Sequence, residues 1–198
     1  MNVVTPPAWA ERLLRLQLAP RDRGPLSGDL CEMYLDRVDA GGVGRADLWY
    51  VLEVLRITWL ETGPWIVLFA LATAARTGLD WLVPTTDFAV RSVWSTGVGV
   101  GVLFTAGFAT AWRLRSVGSA IAAGLVTSVG GGLLHAVAAA TLLALRHDPA
   151  TLDAIRASGG LSEALTLPFT LALPAAFIAA LGGTLSWLTQ GPGRRAAR

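Results

Sequence analysis

Charged residues and cysteine are scarce in this chain. Only 15% of its 198 residues are charged, whereas 53% are hydrophobic, and all sixteen basic residues are arginine. A soluble globule of this size would have more apolar surface than it can bury, which excludes that class. The formal charge of +2 is too small and too scattered to predict nucleic-acid binding, so we expect none. Cys31 is the single cysteine, which excludes an internal disulfide.

Groups of residues that carry chemistry are also missing. The sequence shows no Ser/His, paired-aspartate or metal-ligand set, and we therefore expect no enzyme activity, no catalytic residue and no metal site. Charges interrupt residues 11–56 every few positions and leave no apolar signal-peptide core. We expect the N-terminus to stay inside the cell.

Long apolar runs are what the chain does have, at about residues 62–84, 92–112, 118–145 and 164–189. A hydrocarbon core about 30 Å thick is crossed by about 20 helical residues, and lipid requires each span to satisfy its own backbone hydrogen bonds. The sequence therefore predicts an all-α polytopic membrane protein. Residues 61–190 form its four-helix transmembrane domain, and residues 191–198 form a basic tail.

The arginines near the span ends are unevenly distributed. Three segments, namely the N-terminal region, the short connection after the second span and the tail, carry seven: Arg45, Arg56, Arg113, Arg115, Arg194, Arg195 and Arg198. The other two connections carry three: Arg91, Arg146 and Arg156. By the positive-inside rule, this asymmetry predicts a multi-pass protein of the bacterial inner membrane with both termini in the cytoplasm.

Residues 1–60 are predicted to form a separate, small cytoplasmic bundle of three amphipathic helices. The third, at about 46–60, has an apolar side that consists of Leu48, Trp49, Leu52, Leu55 and Trp59. It continues into the first span, with only Gly63 and Pro64 as a joint. Two arrangements stay open, because such helices can bury one common core or lie on the membrane surface.

The stretch PPAWAERLLRLQLAPRDRGPLSGDLCEMYLDRV, followed after a glycine loop by LWYVLEVLR, resembles a known domain. It is similar to the prefix domain found ahead of some bacterial ABC-transporter permeases, the kind whose genes often neighbour PadR-like regulators. The resemblance covers about residues 5–60 and implies a cytoplasmic, adaptor-like module. Such permeases also have a large extracytoplasmic domain, whereas this chain has only short loops. Its four-span remainder resembles small prefix-bearing membrane proteins without an assigned activity.

His135 lies near the middle of the third span, where an ionisable side chain is costly and by default marks a partner or a function. Gly131 is one helical turn earlier, and the small residues around both leave a flat hollow. This spacing is similar to the pattern by which antenna helices of photosynthetic bacteria ligate bacteriochlorophyll. Three interpretations stay open: a hydrogen bond across a helix interface, binding of bacteriochlorophyll or haem with His135 as the ligand and the macrocycle lying over Gly131, and a proton relay.

Two further sets of residues stand out in the spans. Arg76 and Asp80 are four residues apart, which predicts an intrahelical ion pair, or alternatively a charged contact with lipid or a neighbouring subunit. Small residues spaced for close helix packing, or for a partner interface, are Gly97, Gly101, Gly124, Ser128, Gly132, Gly182 and Gly183.

Two functions are compatible with these features. The first is a non-catalytic accessory or assembly subunit that stabilises a larger inner-membrane complex, including a photosynthetic or respiratory one with pigment or haem. Its partners would be integral membrane subunits and bound lipids. The alternative is a small transport-related or regulatory membrane protein of the permease-prefix type, whose cytoplasmic helices contact an ATPase or a regulator.

Overall fold

The computed structural model describes residues 4–83, 88–146, 148–157 and 169–190, together with residues 162, 165 and 166; the side chains of residues 88 and 89 are not included. The described part of the chain is all-helical. Its elements are α1 (Ala8–Gln17), α2 (Pro20–Gly41), α3 (Val43–Leu82), α4 (Phe88–Leu114), α5 (Val117–Leu145), α6 (Pro149–Ala157) and α7 (Ala172–Thr189). The predicted basic tail, residues 191–198, lies outside the described residues, as do residues 164, 167 and 168 of the predicted fourth span.

Four of these helices are long and apolar enough to cross a membrane: α3, α4, α5 and α7. The prediction of an all-α chain with four candidate spans is therefore confirmed. The helices form one bundle, in which α5 contacts α3, α4 and α7, and α4 contacts α3 and α7 as well. The central positions thus belong to α4 and α5, and α3 and α7 flank them.

Helices α1 and α2 pack beside the first half of α3, at what we term the α1–α2 end of the bundle. Their shared core consists of Ala10, Leu14, Leu30, Tyr34, Ala46, Tyr50 and Val54. The Tyr34 hydroxyl donates to Asp47 Oδ1 at 2.8 Å and also lies 3.2 Å from the Thr5 carbonyl oxygen. The Tyr34 and Tyr50 rings meet edge to face, with centroids 5.9 Å apart. One compact core thus includes all three helices.

α3 is one uninterrupted helix of 40 residues. The sequence suggested a joint at Gly63 and Pro64, but both residues lie inside the helix. A proline inside a helix removes one backbone hydrogen bond, and here the turns on both sides remain helical. The Thr62 hydroxyl also donates to the Thr58 carbonyl at 2.7 Å. The first span and the third predicted amphipathic helix are consequently a single element.

α6 closes the opposite end of the bundle, which we term the α6 end. Asp148 caps this helix, since its carboxylate accepts from the Thr151 amide at 2.9 Å and from the Thr151 hydroxyl at 2.8 Å. The apolar face of α6 packs on α3 and α5 in a cluster with Trp81, Ala139 and Ile155 at its centre. This cluster covers the α6 end of both helices.

Candidate functional site

The first half of α3 carries a row of exposed apolar side chains, which we term the α3 seam. It consists of Leu48, Leu52, Leu55 and Trp59, whose exposed fractions are 62%, 56%, 47% and 50%. Successive seam residues are 4, 3 and 4 positions apart, so all four lie along one side of the helix. Half-exposed leucine and tryptophan in a continuous row are unusual outside lipid, and such a patch marks an interaction surface.

The core of α1, α2 and α3 uses a different face of α3. Ala46, Tyr50, Val54 and Thr58 are buried there, at four-residue intervals. In the sequence, the seam has the stronger apolar pattern, and burial of the seam was one of two predicted arrangements. The structure instead buries small and hydroxyl-bearing residues, and Gln17 Nε2 donates to Thr58 Oγ1 at 3.3 Å within this contact. The hydrophobic pattern therefore identified the open face of α3.

The spacing of the seam continues into the bundle. Continuing the same alternation of three- and four-residue steps leads to Thr62, Ile66 and Phe69, and all three are buried. Ile66 and Phe69 pack against α5: a Cβ added at Gly130 would lie 3.1 Å from Ile66 Cδ1, and one at Gly131 would lie 2.8 Å from Phe69 Cδ1. One side of α3 is thus covered by α5 at Ile66 and Phe69 and exposed from Leu48 to Trp59.

Positive charge borders the seam. Arg45 is exposed and lies seven residues before Leu52, so it occupies the first position of the same row. Arg56 is exposed beside the seam and pairs with Glu53 at 3.2 Å. The Arg37 guanidinium carbon stacks 3.7 Å from the centre of the Trp49 ring, in a cation–π contact. The surface therefore combines four large apolar side chains with three guanidinium groups.

His135 and Gly131 lie at the α3–α5 contact. The His135 side chain is 3% exposed. A Cβ added at Gly131 would approach Phe69 Cδ1 at 2.8 Å and the Ile66 carbonyl oxygen at 3.1 Å, which leaves no open hollow beside this glycine. A flat macrocycle stacked on Gly131 would require α3 to move away from α5. The geometry fits a histidine packed within a helix interface.

The small residues proposed for helix packing fall into three groups. Gly124, Gly182 and Gly183 lie where α7 touches α5 and α4: a Cβ at Gly182 would overlap the Phe104 carbonyl oxygen, and one at Gly183 would lie 2.6 Å from Ala120 Cβ. Ser128 and Gly132 are buried on α5. Gly97 and Gly101 are exposed on α4, with no atom within 4 Å of an added Cβ.

Gly107, which was outside the predicted pairs, has the closest contact of this kind. A Cβ added there would overlap the backbone of α7 at Ala179. Its spacing in the sequence gave no reason to choose it over Gly101 on the same helix, because only the tertiary arrangement distinguishes them.

Arg76 and Asp80 are close, as their spacing suggested, with Arg76 Nε 3.8 Å from Asp80 Oδ2. A second arginine, Arg91 of α4, comes nearer, since its Nη1 lies 3.4 Å from Asp80 Oδ1. The same nitrogen donates to the carbonyls of Leu79 and Val83 at 2.8 Å each, where α3 ends. Arg91 therefore ties the last turn of α3 to the start of α4.

Another ion pair at the α1–α2 end was missed in the sequence. Glu61 of α3 pairs with Arg113 of α4. Glu61 is followed by fourteen uncharged residues, so it marks the boundary of the apolar part of α3. A charged residue at this boundary was a sequence signal for an ion pair at the membrane interface. The sequence did not identify Arg113 as the partner of Glu61.

Within the part of the chain that the structure describes, no three His, Cys, Asp or Glu side chains come together in a group that could hold a metal ion. Comparisons with protein families, with curated proteins and with solved structures found no match to this chain.

Proposed function

We propose that this protein is a non-catalytic accessory or assembly subunit of a larger complex in the bacterial inner membrane. The observation that carries the proposal is the α3 seam, which exposes four large apolar side chains along one helix. In the proposed topology both termini are cytoplasmic, as the arginine distribution predicts, and the α1–α2 end faces the cytoplasm.

The length of α3 supports a location of the seam outside the lipid. Its 40 residues extend about 60 Å at 1.5 Å per residue, and the hydrocarbon core is about 30 Å thick. The Glu61–Arg113 pair lies at the α1–α2 end of the uncharged part of α3, where a membrane boundary favours charged groups. The seam lies on the far side of that pair, and its residues Leu52 and Leu48 are nine and thirteen positions before Glu61, or about 14 and 20 Å. The headgroup layer is only about 5–7 Å thick, so we assign this part of the seam to a protein partner.

The packing of the bundle supports a structural role. Gly107, Gly124 and Gly182 bring α7 into backbone contact with α4 and α5, so protein fills the space between these helices. The large side chains on the outside of the bundle remain available to lipids and to integral membrane subunits. Because α3 also fills the hollow at Gly131, we assign any pigment or haem to a partner subunit of the complex.

Extraction of the tagged protein from its native membrane in a mild detergent tests this function. We expect it to elute as part of a complex well above 20.8 kDa plus its detergent micelle, with the same integral membrane subunits in each preparation by mass spectrometry. The absorption spectrum of that complex reports whether it contains a pigment or haem. A stable monomer without bound subunits would contradict the proposal.

The second candidate is a small transport-related or regulatory membrane protein of the permease-prefix type. It is favoured by the joint core of α1, α2 and α3, because this module coincides with the region that resembles the prefix domain and continues directly into a span. Substrate flux in proteoliposomes, lost on His135→Ala or Arg76→Ala substitution, would support this candidate over the first.

A further inference from the structure

We propose that the α3 seam binds one amphipathic helix of a cytoplasmic or cytoplasm-facing protein, with apolar residues at 3–4 spacing and carboxylates along the edge that faces Arg45 and Arg56. The inference rests on the proposed function and names the surface and the chemistry of the partner.

Continuity with the α3–α5 contact indicates that the ligand is a helix. Ile66 and Phe69 pack against α5 within the bundle, and the seam continues the same row of positions toward the α1–α2 end, where its side chains are exposed. From Leu48 to Trp59 the row covers about three helical turns, or about 16 Å. Alternating 4- and 3-residue spacing is the pattern that receives the side chains of a second helix. A partner helix would therefore lie along α3 on the side that α5 occupies higher in the bundle.

The charges beside the seam indicate that the partner helix is acidic. Arg45 stands in line with the seam, and Arg56 lies beside it. Glu53 pairs with Arg56, and Asp47 lies on another side of α3, where it accepts a hydrogen bond from the Tyr34 hydroxyl. Arg45 is therefore the charged group in line with the seam, and a carboxylate on the partner would complement it. A basic helix would be repelled.

A second copy of the chain fits this surface poorly. Two copies in one membrane have the same orientation, so their α3 helices would meet in parallel with each seam residue opposite its own counterpart. In that arrangement Arg45 would face Arg45 at the end of the contact. Like charges placed together in an interface are unfavourable, and a partner with a carboxylate at this position removes the conflict.

The experiment is site-specific photocrosslinking in the native membrane. A photo-crosslinking phenylalanine analogue replaces Leu52, and the crosslinked peptide is identified by mass spectrometry. The matched control carries the same analogue in place of Leu35, which is 42% exposed on α2 and outside the seam. We expect a crosslink from position 52, and not from position 35, to an amphipathic helical segment of another protein that contains acidic residues.

Two further variants test the chemistry of the contact. Leu55→Asp places a charge in the seam and should reduce the yield of this crosslink about tenfold or more, since a desolvated charge at an interface costs several kcal/mol. The double variant Arg45→Gln/Arg56→Gln should reduce the yield and abolish its sensitivity to salt. All these positions are exposed, so the thermal unfolding of the variants should match that of the unchanged protein.

The possible results separate the two proposals. A crosslink to another copy of this chain, to lipid alone, or to a basic or extended segment would overturn the seam assignment, as would equal yields from positions 35 and 52. A complex that survives detergent extraction in the Leu52→Asp variant would also overturn it but leave the accessory function standing. Extraction of the unchanged protein as a monomer would remove the accessory function itself.

Discussion

Two glycines on α4, six residues apart, have opposite surroundings. Gly107 touches the α7 backbone at Ala179, whereas Gly101 has open space around it. We expect Gly107→Ala to destabilise the bundle by about 1–3 kcal/mol or more, because the added methyl group must push two backbones apart. Gly101→Ala should be neutral or slightly stabilising. Thermal unfolding in detergent, followed by size-exclusion chromatography, measures both. Equal losses for the two variants would show that α4 and α7 do not pack as described.

The Tyr34 hydroxyl links α2 to α3 and to the residues before α1, through Asp47 and the Thr5 carbonyl. Burial, reinforced by the hydrogen bond to Asp47, raises the pKa of Tyr34 from 10.0 to about 12. The unfolded chain therefore releases this proton first, so the stabilisation is complete below pH 10 and declines as the pH rises from 10 to 12. Tyr34→Phe should lower stability by about 1 kcal/mol at neutral pH and flatten the decline above pH 10.

Denaturant titrations of the α1–α2 end, monitored by tryptophan fluorescence at pH 7, 10 and 11.5, would measure this effect. If the variant loses stability between pH 10 and 11.5 as steeply as the unchanged protein, the alkaline decline has a source other than Tyr34.

At the scale of single residues, sequence predicted intrahelical pairs better than contacts between helices. The proximity of Arg76 and Asp80 followed from their spacing on one helix. Arg91 and Glu61 acquire their roles only from tertiary structure, since Arg91 reaches Asp80 and two carbonyls of another helix and Glu61 meets Arg113. No local pattern encodes these distances.

At the scale of the elements, α6 depends on a single capping side chain. The hydrogen bonds from Thr151 hold the pKa of Asp148 below its ordinary value of 3.8. The cap therefore contributes fully above the unfolded-state pKa, and its contribution is lost as the pH falls through the lower, folded-state pKa. We expect Asp148→Ala to loosen α6 already at neutral pH, and acid to do the same in the unchanged protein.

Hydrogen–deuterium exchange would show this as faster exchange in α6, with the middle of α5 as the internal reference. Unchanged exchange in α6 after Asp148→Ala would mean that the Trp81–Ile155 packing alone holds the helix in place. This element is of the kind that sequence can predict, because Asp-Pro followed by an amphipathic turn is a strong local start signal.

For α3, the sequence predicted a helix but neither its continuity nor its buried face. Its helical character followed from periodicity, but the joint at Gly63 and Pro64 did not form, and the buried face is not the most apolar one. Packing at the α1–α2 end selects Ala46, Val54 and Thr58, because small and β-branched side chains permit close approach of α1 and α2. A hydrophobic pattern identifies the face of a helix that is removed from water. That face can be covered by another protein instead of by a helix of the same chain.

At the scale of the whole molecule, the number of candidate spans was predictable because length and apolarity alone define them. Their arrangement was not, since α4 and α5 take the centre through glycine and alanine contacts whose partners are distant in sequence. The same bundle places Arg113 and the α1–α2 module at one end and α6 at the other, so a single measurement of orientation fixes the location of the seam.

Thiol labelling provides that measurement. In a Cys31→Ser background, Asp39→Cys on α2 and Asp153→Cys on α6 form a matched pair, because both positions are exposed and lie at opposite ends of the bundle. With the positive-inside orientation, a membrane-impermeant maleimide should label Asp153→Cys in intact spheroplasts and should label Asp39→Cys only after permeabilisation. The reverse pattern would place the seam and its arginines outside the cell. A cytoplasmic partner helix would then be impossible, whereas the bundle itself would be unaffected.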